Sequence, residues 1–119
     1  MDLNLKKFIH SDSDEDHNIE EYSHSIDVDI IEGSDSFHLV FDLPGFTLED
    51  ISVSVVNSDL LKVTGLRKSN LLALESYILE ERFKGKFEKE IVLPEGLDLE
   101  NIKNDFQNGV LRLSFQKVV

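Results

Sequence analysis

From residue 26 onward the chain is written in a period of two. Phe37, Leu39, Phe41 and Leu43 alternate with polar or smaller positions until Pro44-Gly45 stops the run. Ile51, Val53 and Val55 alternate with Ser52 and Ser54, and Asn57-Ser58-Asp59 turns the chain into Leu61, Val63 and Gly65. Near the end, Leu111, Leu113 and Phe115 share one face while Arg112, Ser114 and Gln116 share the other, after the turn signal Asn108-Gly109. Alternation of this kind marks half-buried strands, because successive side chains in a strand point to opposite faces. Pro and Gly end such runs, since proline has no N–H for a ladder and glycine favours turns. The pattern predicts strands over 27–32, 37–43, 51–55, 61–65, 77–83, 86–93, 102–107 and the closing segment to 116. A connection of about eleven residues, 66–76, separates the fourth from the fifth. No helical periodicity is long enough to compete. Many short strands with turn residues between them imply an all-β fold, an antiparallel β-sandwich.

Residues 1–25 break the pattern. They hold seven acidic and two basic residues, with the run Ser11-Asp12-Ser13-Asp14-Glu15-Asp16. Such a composition reads as a flexible acidic arm. Its one apolar patch, Leu3, Leu5, Phe8 and Ile9, has a spacing compatible with a short amphipathic helix. The organisation expected is therefore a 1–25 arm, a 26–117 sandwich and two residues, 118–119, beyond it. At 119 residues the chain has one domain's length and enough of it to bury its own core.

Charge narrows the partners. A net charge of −12 argues against nucleic acid, which needs clustered Lys and Arg, and against an anionic membrane surface. No apolar run reaches membrane-spanning length and the N-terminus has no signal-type apolar core. There is no cysteine, which fits a reducing compartment and a cytoplasmic location.

Candidate chemistry is sparse. Without cysteine, a nucleophile would be Ser, Thr or Lys beside a His base, and His38 is the one histidine inside the sandwich, on a strand's outer face. The glycines are scattered among turns rather than gathered in a phosphate loop. His10, His17 and His24 recur every seven residues among acids, but an arm without fixed geometry gives metal no stable site; the acidic run lacks the Gly and closing Glu of an EF-hand. The expectation is no enzyme activity, no metal and no cofactor.

Five segments, in order, carry a resemblance. They are "DLPGF" (42–46), "EDI.V.V" (49–55), "L.V.G.R" (61–67), "ERFKGKFEKEIVLPEG" (81–96) and "IKNDFQNGVL" (102–111). Together they resemble a small heat-shock protein, with 26–117 similar to an α-crystallin domain. The resemblance implies an immunoglobulin-like β-sandwich and ATP-independent holding of partly unfolded proteins, a stress-response chaperone activity. A related possibility is a CS-domain-like adaptor that binds one folded partner as a co-chaperone. CS domains usually lack the long loop and dimer strand.

The resemblance also implies sites. The family's edge groove, which takes an Ile-x-Ile peptide and overlaps a client site, falls on Val53 and Val55 of one strand and on Ile102 and Asn104 of another. Asn104 stands where a small Ala is common, and Lys117-Val118-Val119 holds no Ile-x-Ile, so tail latching is expected to be missing. The family's dimer strand falls on 77–83, with Tyr77, Leu79, Glu81 and Arg82. It would add to 27–32 of a second copy, giving a homodimer by strand exchange or a small oligomer. Lys84 replaces an aromatic often found before the Gly. The preceding loop carries Leu71, Leu72 and Leu74 where relatives are mostly charged. These leucines are expected to pack on the partner subunit; exposed, they would instead join Leu3, Leu5, Phe8 and Ile9 as contacts for unfolded client proteins.

Overall fold

The computed structural model describes residues 9–10, 26–82 and 85–118. Among the described residues eight strands run in chain order: β1 (Ile9–His10), β2 (Val28–Glu32), β3 (Ser36–Asp42), β4 (Ile51–Val56), β5 (Leu60–Arg67), β6 (Gly85–Val92), β7 (Lys103–Gln107) and β8 (Val110–Gln116). They form two four-stranded sheets, ordered β1-β4-β5-β6 and β2-β3-β8-β7. Every pairing is antiparallel except β1 with β4. The expected β-sandwich is the fold.

Period two becomes inside and outside. In β3, Phe37, Leu39 and Phe41 are buried while their neighbours are not. The same alternation buries Ile51, Val53 and Val55 in β4 and Leu111, Leu113 and Phe115 in β8. One continuous apolar cluster results, with Phe41, Phe87 and Phe115 its largest fully buried side chains. Among the described residues no polar or charged residue is buried in it. A core without polar groups needs no internal hydrogen bonds beyond the backbone ladders.

The turns follow from residue type. Asn57 and Ser58 both have positive φ, as do Asn108 and Gly109. Two consecutive left-handed residues make a type I′ turn, whose twist matches that of a hairpin. These two turns join β4 to β5 and β7 to β8 in register.

Seven of the eight expected strands appear, with ends displaced by no more than two residues. The strand expected over 77–83 does not: Tyr77, Leu79, Glu81 and Arg82 lie outside any ladder of the single chain. A strand is held by a neighbouring backbone, and this segment projects from the sandwich without one in its own chain. Two features went unread in the sequence. A 3-10 turn, Leu48–Asp50, precedes β4; Thr47 caps it, Asp50 answering with its carboxylate. And Ile9–His10 is strand, where a flexible arm or a short helix was expected. Leu3, Leu5 and Phe8 lie outside the described residues.

Candidate functional site

Three features stand out from the well-packed sandwich: a projecting apolar loop, an open strand edge and the residues of the expected groove.

The loop leaves β5 at Arg67 and returns to β6 at Gly85. Its out-and-back course is tied across the middle. Ser69 and Tyr77 share a hydroxyl–hydroxyl bond of 3.0 Å, and Arg82 Nη1 donates to Asn70 Oδ1 at 2.8 Å. The tip is a turn in which the Leu72 N–H donates to Glu75 Oε1 and the Glu75 N–H to the Leu72 carbonyl. At its root, Lys68 Nζ sits 3.3 Å from Asp50 Oδ1. Partial burial pushes the Asp50 carboxyl up, but bonds from Thr47 and Lys68 outweigh it and hold the group below the usual carboxylate range.

What the loop presents is apolar. Leu74 and Ile78 are fully exposed, and Leu72 and Leu79 are more than two-thirds exposed. Leu71 and Tyr77 are a little over one-third exposed. Leu74 also has φ of +70°, a left-handed conformation that side chains other than Asn, Asp or Gly rarely adopt. Ile78 and Leu79 thus add to the sequence's three-leucine cluster as exposed apolar residues of the same loop.

β2 offers the complementary feature. It is outermost in its sheet, and among the described residues it has a neighbour only on the β3 side. Ile30 is 54% exposed and Ile31 beside it 40%. An unpaired edge carrying two isoleucines is a template for another strand.

The predicted groove residues lie on two sheets. Val53 and Val55 are fully buried on β4, so they are core first. Ile102 packs half-buried against that same core. Asn104 lies on β7 opposite Leu113, and so on the inward side of an outermost strand. Its Oδ1 is buried and has no hydrogen-bond partner among the described residues. Leaving such an acceptor unpaired costs about 1–3 kcal/mol. The outer edge of β4 is covered at two of its six residues: Ile9 pairs with Ser54 and His10 with Val55 in parallel register.

The motif residues that carried the resemblance gather elsewhere, as packing. The Phe46 ring meets Phe87 edge-on at 5.2 Å, and the Arg67 guanidinium lies 5.6 Å over Phe46. The "NGVL" turn rests on the "LPG" turn: a Cβ at Gly109 would come within 2.9 Å of Pro44 Cα, and the Leu43 N–H donates to the Gly109 carbonyl. His38 is a connector rather than a base. Its Nδ1 lies 2.9 Å from Ser114 Oγ and its Nε2 3.0 Å from Ser36 Oγ, joining β3 to β8. Burial, and then the Arg112 charge, push its pKa below the ordinary histidine value. Among the described residues its ring nitrogens are hydrogen-bonded to serines and not to a carboxylate. Among the described residues no cluster of His and carboxylates is arranged for a metal, and no helix is long and apolar enough to cross a membrane.

Comparison with known proteins places this geometry. Residues 29–119 match the Hsp20/alpha crystallin family. A 17.6 kDa class II heat shock protein of Arabidopsis thaliana is 36% identical over 92 residues, 76% of this chain and 59% of that protein. Small heat shock protein C4 of Rickettsia felis is 30% identical over 90 residues, covering 75% and 55%. The chain thus spans somewhat over half the length of these curated relatives. Among solved structures, heat shock protein 16.0 from Schizosaccharomyces pombe superposes with a TM-score of 0.71 at 29% identity, over 81% of this chain and 89% of that one. A small heat-shock protein from Xylella fastidiosa gives 0.67 at 32%, over 79% and 86%.

Proposed function

The chain belongs to the Hsp20/alpha crystallin family, and from that premise we propose that it is an ATP-independent holdase that covers the exposed apolar surface of partly unfolded proteins. The observation that carries this reading is the projecting loop. Leu72, Leu74, Ile78 and Leu79 stand in solvent on a scaffold whose own core is already complete. Apolar side chains held out in this way gain about 25 cal/mol per Å² when something covers them. An unfolding protein offers both apolar surface and unpaired strand edges. Covering them requires no bond making and so no cofactor. The net charge of −12 keeps the holder, and a complex with it, in solution.

The same loop serves assembly in the resting state. Residues 77–83 add to the open edge of β2 in a second copy, which satisfies the backbone of both and buries Ile30 and Ile31 with Leu79. Tyr77, Leu79, Glu81 and Arg82 become strand residues only then. Leu71, Leu72 and Leu74 pack on the partner subunit, and their release makes them client contacts. The groove between β4 and β7, with Val53, Val55, Ile102 and Asn104, is the second peptide-binding surface.

The test is an aggregation assay. A heat-labile enzyme is warmed with equimolar protein and no nucleotide, and light scattering is followed. Suppressed scattering is the expected result. Undiminished scattering, with the protein still folded by circular dichroism, would overturn the holdase and leave the adaptor reading in its place.

A further inference from the structure

The projecting loop is tied at two points that bracket one segment. Ser69 and Asn70 are neighbours on the loop's first leg, yet they grip the second leg at Tyr77 and Arg82, five positions apart. The Ser69 and Tyr77 hydroxyl oxygens lie 3.0 Å apart, and Arg82 Nη1 donates to Asn70 Oδ1 at 2.8 Å. Residues 78–81 stand between the two ties, with Ile78 fully exposed and Leu79 71% exposed. Asn70 and Arg82 also keep the count of the β5–β6 hairpin. Its last ladder pair is Arg67 with Gly85, and each of the two residues lies three positions beyond that pair. The ladder has ended there, and side chains carry the register on. The first leg is anchored in turn. Lys68 Nζ lies 3.3 Å from Asp50 Oδ1, and the Arg67 guanidinium packs over the Phe46 ring. The ties therefore fasten residues 77–82 to the sandwich itself.

We propose that Ser69 and Asn70 are positioning residues for strand exchange, clasping residues 77–82 at both ends so that 78–81 stand ready to pair with β2 of a second copy. The proposal rests on the strand-exchange reading, and it deepens that reading by naming what readies the segment. A stretch of chain outside any ladder samples many backbone conformations, and docking it as a strand removes that freedom. Ties already made in the free chain remove part of it beforehand, which lowers the ordering cost of association. Tyr77 and Arg82 suit the role because their side chains are long and end in polar groups, so they reach the first leg while the residues between them stay outside the clasp. Both bonds are exposed, and water competes with each. Acting at the two ends together, they fix the direction of the segment where either alone would fix one point.

The test compares the full chain with two variants at physiological ionic strength. Sedimentation equilibrium reads the dimer dissociation constant, and energy transfer between labelled copies reads the rate at which subunits part. The double variant Ser69→Ala, Asn70→Ala should weaken the dimer by about fivefold. The loss should fall on association, because the ties belong to the free chain; a lost contact with the partner would speed dissociation instead. Asn70→Asp keeps an acceptor for Arg82 and should stay within about twofold of the parent. The thermal midpoint of the sandwich should be the same in all three, since Ser69 and Asn70 are exposed. An unchanged dimer constant in the double variant overturns the proposal, and so does a loss carried wholly by faster dissociation. A parent that stays monomeric at every concentration overturns the strand-exchange reading and the proposal with it, so the parent alone tells the two failures apart.

Discussion

At the scale of single residues, the family motifs turn out to be statements about space. Gly65, the glycine of "L.V.G.R", has no positive φ to explain it. It is glycine because the Phe87 ring lies where its Cβ would be, with the Asp50 carbonyl 3.1 Å away on another side. Phe87 is fully buried and braced edge-on by Phe46, so it has nowhere to retreat. Gly65→Ala should therefore destabilise the sandwich by about 1–3 kcal/mol, the usual penalty of overpacking, and a urea melt would show it; an unchanged midpoint would mean the ring moves freely. His38 makes a second prediction. Its pKa is lowered in the fold, so the unfolded chain takes up a proton at a pH where the folded chain refuses it. Stability from this group is complete above the unfolded value, about 6.5, and is lost as pH falls below it through the lower folded value. The thermal midpoint should drop between pH 7.5 and 5.5, and His38→Gln should drop less. Equal losses would show that the Ser36–His38–Ser114 connection does not govern acid sensitivity.

At the scale of elements, the strands were legible because alternation and turn chemistry agree. Phe37, Leu39 and Phe41 point one way because the period demands it, and Asn108-Gly109 fixes the register of β7 on β8. Two elements depart from the sequence reading in the single chain, for one physical reason: a short strand's identity lies in its partner. Ile9–His10 has no alternation of its own to display, and only β4 makes it a strand. Residues 77–82 have apolar positions enough, but the chain alone supplies no ladder for them. The leucines of the loop carried the clearer message, since three apolar residues between charged neighbours require cover. If that cover is a second copy, replacing Leu71, Leu72 and Leu74 together with Ser should halve the mass seen by sedimentation. Each covered leucine contributes about 1.5–3 kcal/mol, so the dimer constant should weaken at least about tenfold. Leu72 and Leu74 are too exposed to contribute much to the sandwich itself, whose melting should barely move. Unchanged mass with weakened client holding would assign the leucines to clients instead of the dimer.

At the scale of the whole molecule, apolar attraction and electrostatic repulsion act against each other. The proposed strand exchange would join two edges and several aliphatic side chains, all short-range interactions. The charge is long-range: each copy carries −12, and with it the pair repels. The sandwich's own ion pairs, such as Lys62 with Glu88 at 3.2 Å, are local and partly exposed, and contribute little to the balance. Salt screens exposed charge beyond about 10 Å at 0.1 M while leaving apolar burial nearly untouched. Raising sodium chloride from about 20 to 150 mM, at which the screening length falls to about 8 Å, should therefore tighten the dimer severalfold, read as a falling dissociation constant in sedimentation equilibrium. A dimer held chiefly by cross-subunit pairs through Glu81 and Arg82 would respond the other way, loosening as salt rises. The sign of the salt dependence thus decides which kind of contact holds two acidic chains together. A salt-tightened dimer would open most readily in dilute buffer, where the loop leucines would become available to clients.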